Sequence, residues 1–233
     1  MKIIANEKLI KRNGRIGTIT SLVSIVVLGI GMFLSFRDKD GSLLIFTFGS
    51  LILGFLLFQV GNYYMARWGK SPRPDEKLTA ALKGLDDKYS LYHYATPISH
   101  LLVGPAGVLS LLPYQQLGTI SYDETKNKWK QKGGSFFMKT FGNEGLGHPE
   151  RDVKFALEDV TKYFNKLGDD ADLGRFSPEV IMVFTNDKVI LEADGATVPA
   201  MTAEKLKDYI RKKAKTTAMP EEIYRKLEEK LVI

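Results

Sequence analysis

Two long runs without a charged residue constrain what this chain can fold into. The first covers residues 16–36, the second covers residues 42–66, and five residues separate them. At a rise of about 1.5 Å per residue, each run would span as a helix the roughly 30 Å of bilayer hydrocarbon. A buried core helix normally carries a polar face, whereas these runs contain only scattered small or amide polar side chains. They therefore predict a transmembrane helical hairpin over residues 16–66 that contacts the lipid bilayer.

A cleaved signal peptide is the other interpretation of the first run. The apolar part of such a peptide covers about 7 to 15 residues and ends at a small-x-small cleavage site. The first run is longer, and Ser35, Phe36 and Arg37 do not form such a site. The N-terminus is therefore expected to stay attached to the chain.

The charges around the two runs predict their orientation. Residues 1–15 carry five Lys or Arg against one Glu, whereas residues 37–41 carry two bases and two acids. Cytoplasmic flanks of membrane helices are enriched in Lys and Arg. We therefore expect an integral, two-pass protein with both termini in the cytoplasm, as in a bacterial inner membrane. Three aromatic residues at the expected inner boundary favour the same orientation: Tyr63, Tyr64 and Trp68.

The rest of the sequence predicts a mixed α/β cytoplasmic domain with a central sheet over residues 75–215. Alternating apolar residues indicate strands, and apolar residues three or four apart indicate helices. A basic segment (1–15) precedes the hairpin, a linker (67–74) follows it, and an amphipathic helix (216–233) ends the chain. The predicted helices cover residues 74–90, 149–167, 203–214 and 220–231, and the predicted strands cover residues 89–96, 100–103, 107–112, 118–123, 126–132, 180–184 and 189–191.

A resemblance to a known family rests on a short motif. The run ISHLLVGPAGV from Ile98 to Val108, followed by Gly118, Trp129 and a helix opening at Pro149, resembles the nuclease-related domain, known as NERD. The resemblance extends over most of residues 75–213. It implies a restriction-endonuclease-like fold, which in that family often lies beside membrane helices or beside kinase and helicase modules.

The same resemblance implies a metal-dependent phosphodiesterase site that this chain has lost. The family's Asp, Glu and Lys fall on Ser99, Leu112 and Tyr114. A leucine cannot ligate Mg²⁺, and a tyrosine is neutral near pH 7. We therefore expect no catalytic residue, no metal and no cofactor. A nuclease with relocated acids, such as Asp123 or Glu124, is the enzymatic alternative.

Other catalytic patterns are not indicated by the sequence. Ser99 and His100 are adjacent, so on a strand their side chains would point to opposite faces and could not act as nucleophile and base. His93, His100 and His148 lack metal-ligand spacing, which favours packed or solvated histidines. The absence of cysteine excludes disulfides and thiolate metal sites.

Four lysines alternate along one predicted strand. A period of two places Lys126, Lys128, Lys130 and Lys132 on one face and Trp129 on the other. Such lysines protect an edge strand from pairing with other sheets, and they could also contact anionic lipid or a nucleic-acid backbone. Because Trp129 is the one aromatic residue among them, lipid or edge protection is favoured over base stacking, and nucleic acid is not favoured.

A final apolar stripe concerns partners. Ile223, Leu227 and Leu231 lie four residues apart on the last predicted helix, so they would dock on this domain or on a partner. The resulting hypothesis is a non-catalytic, membrane-anchored scaffold that acts as an accessory subunit of a larger membrane complex or self-associates. The alternative hypothesis is a membrane-tethered, nucleic-acid-binding pseudo-nuclease.

Overall fold

The chain forms two compact units that are interleaved in sequence. The computed structural model describes residues 1–135, 139, 145–167, 177–216 and 218–231. One unit is Glu7–Arg73, and the other combines Met1–Asn6 with the described residues from Pro74 onward. The boundary after Asn6 therefore divides residues 1–15 between the two units.

The first unit is a helical hairpin. Helix α1 covers Glu7–Arg37, helix α2 covers Leu44–Tyr64, and a short π-helix, Met65–Gly69, follows α2. The sequence predicted helices over 16–36 and 42–66, so the main difference is that α1 begins nine residues earlier. Its first turn carries Glu7, an acid that favours a helix N-terminus.

The two helices pack through small residues spaced by seven. Gly17, Ser24 and Gly31 are buried on α1, and Gly54 and Gly61 are buried on α2. A spacing of seven keeps residues on one helix face, and small side chains let two backbones approach closely. A Cβ atom at Gly61 would lie 2.9 Å from the backbone nitrogen of Ser21. A search for G-x-x-x-G motifs misses this seven-residue pattern.

The outer surface of the hairpin is apolar. Among the described residues, all but four of the exposed large apolar side chains lie between Ile16 and Tyr63. Only 11% and 17% of the most apolar stretches of the two helices are buried. Both helices are long and apolar enough to cross a membrane.

The second unit contains two sheets rather than one central sheet. The strands are β1 Lys2–Ala5, β2 Ser90–His93, β3 His100–Gly104, β4 Gly107–Tyr114, β5 Gly118–Asp123, β6 Lys128–Lys132, β7 Glu179–Phe184, β8 Val189–Glu192 and β9 Ala200–Thr202. The larger sheet has the order β1-β2-β3-β4-β7-β9, in which β2–β3 and β3–β4 are antiparallel and the other pairs are parallel. The smaller sheet has the order β6-β5-β8.

Four helices of this unit lie where the sequence predicted helices, with one shorter than expected. Helix α3 begins at Pro74 as predicted but ends at Ala81, well before Ser90, and is followed by Gly84 at a φ of +85°. A left-handed residue of this kind is common just after a helix. The helices are α3 Pro74–Ala81, α4 Pro149–Lys166, α5 Ala203–Thr216 and α6 Glu221–Leu231.

The helices cover both faces of the larger sheet. Leu78 of α3 and Leu206 of α5 join Leu109 and Leu111 of β4 in one apolar cluster. Val160 of α4 joins residues of β3 and α6 in a second cluster. A third cluster joins the smaller sheet to β4 and β7, and its members include Ile120, Trp129, Tyr114, Met182 and Phe184.

The last helix docks on its own domain. Leu227 and Leu231 are 1% and 3% exposed in the second cluster, and Ile223 packs against it. Ser90 also donates a hydrogen bond to Glu228 on α6, with an oxygen–oxygen distance of 2.6 Å. Leu227 and Leu231 are therefore not available to a partner in this structure.

We predict that Gly61→Ala destabilises the hairpin by about 1 to 3 kcal/mol, because the new methyl group overpacks against Ser21. Gly49→Ala is the matched control, since a Cβ atom there has no neighbour within 4 Å. Thermal unfolding of the full chain in a mild detergent measures the difference. Equal unfolding temperatures for the two variants would contradict close packing at Gly61.

Candidate functional site

The three positions that the family resemblance points to lie at one end of the larger sheet. Ser99 is exposed and immediately precedes β3. The β3–β4 register pairs Leu101 with Ser110, and continuing it by two residues places Ser99 level with Leu112. Tyr114 follows two residues later, on the same face of β4 as Leu112. The fold therefore brings Ser99, Leu112 and Tyr114 to neighbouring strand ends.

The side chain of Tyr114 is buried and held by an acid. Its hydroxyl group donates a hydrogen bond to Oδ2 of Asp152, at 3.0 Å, and its ring stacks on Phe184 with centroids 5.3 Å apart. Burial and the nearby Asp152 carboxylate raise the pKa of Tyr114 far above its ordinary value. Tyr114 therefore keeps its proton, and it cannot replace a catalytic lysine as a cation.

The surroundings of Tyr114 are mostly apolar. Leu112 packs against the apolar cluster that joins the two sheets. Asp152 and Glu150 lie in the first turn of α4, which begins at Pro149. Within the described ranges, no group of three or more His, Asp or Glu side chains could hold a metal ion. The arrangement at these strand ends is one of packing and hydrogen bonding.

The acids named for a relocated nuclease site lie in the β5–β6 hairpin. Asp123 ends β5 and accepts hydrogen bonds from Thr125 and from Nζ of Lys130, both at 2.6 Å. These bonds, led by the one from Lys130, lower the pKa of the Asp123 carboxyl well below its ordinary range. Glu124 lies in the turn that follows. Asp123 therefore closes the hairpin turn by accepting hydrogen bonds from its neighbours.

Two of the three histidines form a buried pair that the sequence analysis missed. The antiparallel register of β2 and β3 places His93 opposite His100, and their Nδ1 atoms are 2.9 Å apart. The two residues are 1% and 4% exposed. Nε2 of His93 lies 2.9 Å from Oγ1 of Thr79 on α3. The predicted β2–β3 hairpin could have indicated this pair, because residues equally distant from the turn of a β-hairpin face each other.

Hydrogen bonds and a ring contact also hold the loop between the paired histidines. Tyr94 has a φ of +55°, a left-handed value that is uncommon for a residue other than glycine. Its N–H donates to the carbonyl oxygen of Ser99 at 2.8 Å, and its ring meets His100 edge to face, with centroids 4.8 Å apart. The N–H of Asn6 donates to the carbonyl oxygen of His93 at 2.9 Å. Segments from β1, α3 and the β2–β3 loop thus meet at His93 and His100.

The lysine face is smaller and less positive than the sequence predicted. Lys128, Lys130 and Lys132 are exposed on β6, and Trp129 between them is buried. Lys126 lies in the turn before β6, so it is not on the strand. Lys130 is paired with Asp123 at 2.6 Å. Because β6 is an edge strand of its sheet, these lysines are placed where they discourage sheet-to-sheet pairing.

Comparisons with protein-family models, with curated proteins and with solved structures found no match to this chain.

We predict that Tyr114→Phe weakens the dependence of stability on alkaline pH. An unfolded tyrosine ionises near about pH 10, whereas native Tyr114 keeps its proton, so native stability falls as the pH rises above that value. Removing this group should reduce the slope increasingly as the pH rises past about 10, toward a limit of about 1.4 kcal/mol per pH unit, at a cost of about 1 kcal/mol at neutral pH.

The measurement is the free energy of unfolding of the α/β unit between pH 9 and pH 11, read in the full chain. Tyr122→Phe serves as the control, because it removes another phenol, near the exposed turn of the β5–β6 hairpin. Equal slopes for the wild type and Tyr114→Phe would contradict the assignment.

Proposed function

We propose that this protein is a non-catalytic, membrane-anchored scaffold that serves as an accessory subunit of a larger membrane complex. In this proposal the α1–α2 hairpin anchors the protein in the membrane, and the α/β unit carries out the scaffold role. The proposal includes the derivation of the α/β unit from a nuclease-related domain, on the basis of the sequence resemblance.

One observation carries the anchoring: the apolar hairpin is inserted between two neighbouring strands of one sheet. β1 precedes α1 and β2 follows α2, yet Lys2–Ala5 pairs residue by residue with Ser90–His93. Strands that share a sheet must lie on the same side of a bilayer. The pairing therefore supports an even number of crossings, which is what two helices with an outward apolar surface provide.

The residues at the end of α2 support a cytoplasmic α/β unit. The guanidinium of Arg67 lies over the ring of Tyr63, 4.4 Å from its centroid. The rings of Tyr63, Tyr64 and Trp68 lie within 6.1 Å of one another, centroid to centroid. Aromatic rings prefer the membrane interface, and arginines prefer its cytoplasmic side.

The proposed lack of catalysis rests on the strand ends that carry Ser99, Leu112 and Tyr114. Leucine offers no ligand atom, and Tyr114 is engaged with Asp152. The alternative role of nucleic-acid binding has weaker support, because Lys130 is paired with Asp123 and the ring of Trp129 is buried away from the lysine face.

We predict that cysteines placed in the α1–α2 loop and in the α/β unit are labelled from opposite sides of the membrane. The natural chain contains no cysteine, so Lys39→Cys and Lys205→Cys each provide a single thiol at an exposed position. A membrane-impermeant maleimide should label the first in intact cells and the second only after lysis. Labelling of both variants in intact cells would exclude the two-pass arrangement.

We predict that the full chain, extracted from its own membrane in a mild detergent, migrates together with other membrane proteins. Its native mass should exceed the 26.1 kDa of a single chain by more than the detergent adds. Native electrophoresis with identification of the co-migrating chains measures this. A chain that always migrates as a monomer would contradict the accessory-subunit role, even where the labelling pattern confirms the anchor.

A further inference from the structure

A glutamine lies among apolar side chains on the outward face of α2. Gly54 and Gly61 of α2 lie against Leu28 and Ser21 of α1, so they mark the inner face of the helix. Gln59 follows Gly54 by five residues and precedes Gly61 by two, which places it about 140° and about 160° away from them around the helix axis. Gln59 is therefore directed away from α1, and it is partly exposed.

The position of Gln59 along α2 puts its amide among hydrocarbon chains. This step rests on the proposed membrane anchor, in which the outward face of α2 meets lipid. Helix α2 ends at Tyr64, about 7.5 Å beyond Gln59. Because helical side chains lean toward the N-terminus of their helix, the amide of Gln59 is directed away from that end and into the bilayer. Burying an amide without a hydrogen bond costs free energy, so Gln59 favours a polar partner from outside the hairpin.

The residues around Gln59 have the spacing of a helix–helix contact. Ile45, Ile52 and Gln59 are seven residues apart, and Leu56 and Tyr63 each follow Ile52 and Gln59 by four. Such a repeat keeps one stripe of a helix turned toward a partner helix. Ile52 and Leu56 are 61% and 56% exposed, so most of their surface lies outside the α1–α2 contact. We call these five residues the outer row.

A second copy of this chain is the partner that the outer row fits best. A side-chain amide both donates and accepts, so two Gln59 side chains can form two reciprocal hydrogen bonds. Copies of one membrane protein share a topology, so a two-fold axis along the membrane normal brings the two amides together at the same depth. A different protein would have to supply a polar group at that depth. We propose that this protein forms a parallel homodimer in the membrane through the outer row of α2, with a reciprocal hydrogen-bonded pair of Gln59 side chains.

The test measures association of the full chain in vesicles of phosphatidylcholine and phosphatidylglycerol. The natural chain contains no cysteine, so Lys39→Cys, exposed in the α1–α2 loop, carries a single donor or acceptor dye. Energy transfer against the lipid-to-protein ratio gives the dimer dissociation constant. An interhelical hydrogen bond in a membrane contributes a factor of about 3 to 20, so losing two through Gln59→Leu should raise that constant at least about tenfold.

A matched pair of leucine variants separates the outer row from lipid-facing residues in general. Leu56 of α2 and Leu22 of α1 are 56% and 60% exposed. Leu22 lies two residues before Ser24, which is buried, so it faces lipid on the opposite side of the hairpin. We expect Leu56→Ala to weaken the dimer and Leu22→Ala to leave it unchanged. Equal effects of the two, or an unchanged dissociation constant in Gln59→Leu, would overturn the proposal.

Resistance of the vesicle-bound chain to alkaline extraction tests the membrane anchor separately. If the chain is extracted, the anchor and the homodimer are both wrong. If it resists extraction but shows only the energy transfer of randomly distributed chains, the homodimer alone is wrong, and the proposed role as an accessory subunit stands.

Discussion

The parallel pairing of β1 with β2 is the constraint on which the rest of the structure depends. β1 precedes the two apolar helices and β2 follows them, so four residue pairs enclose both helices in one chain loop. Since β1 ends at Ala5 and α1 begins at Glu7, the chain leaves the sheet with almost no linker. The α/β unit is therefore incomplete without the first residues of the chain, although most of it lies after Pro74.

The elements that could be predicted from the sequence are those with strong patterns of their own. The two uncharged runs became helices, and β5 has the predicted bounds, because its alternation is clear on both sides of Ile120. The missed strands, β1 and β9, have four and three residues, too few for a periodic signal. The strand that pairs with β1 is β2, which is far away in sequence, and the strand that pairs with β9 is β7. The division into two sheets also depends on such distant pairing, so one central sheet was the wrong expectation.

The features of the candidate site are of two kinds: some follow from the identity of a residue, and others depend on how the strands and helices are aligned. That Leu112 cannot bind a metal ion follows from its side chain alone. That Tyr114 is tied to Asp152, and that His93 faces His100, follows from how β4 meets α4 and how β2 meets β3. The lysine face combines both, because a period of two correctly grouped Lys128, Lys130 and Lys132. The turn before β6, with Asn127 in a left-handed conformation, removed Lys126 from it.

The pairing of β1 with β2 also sets an order of events during synthesis. β1 is made first, but Ser90, which pairs with Lys2, is made 88 residues later, after both apolar helices. Domains generally fold as units while the chain grows. In this chain the β1–β2 edge of the larger sheet cannot form until α1 and α2 have been synthesised and the residues of β2 have left the ribosome. A completed sheet therefore always follows the synthesis of the whole hairpin.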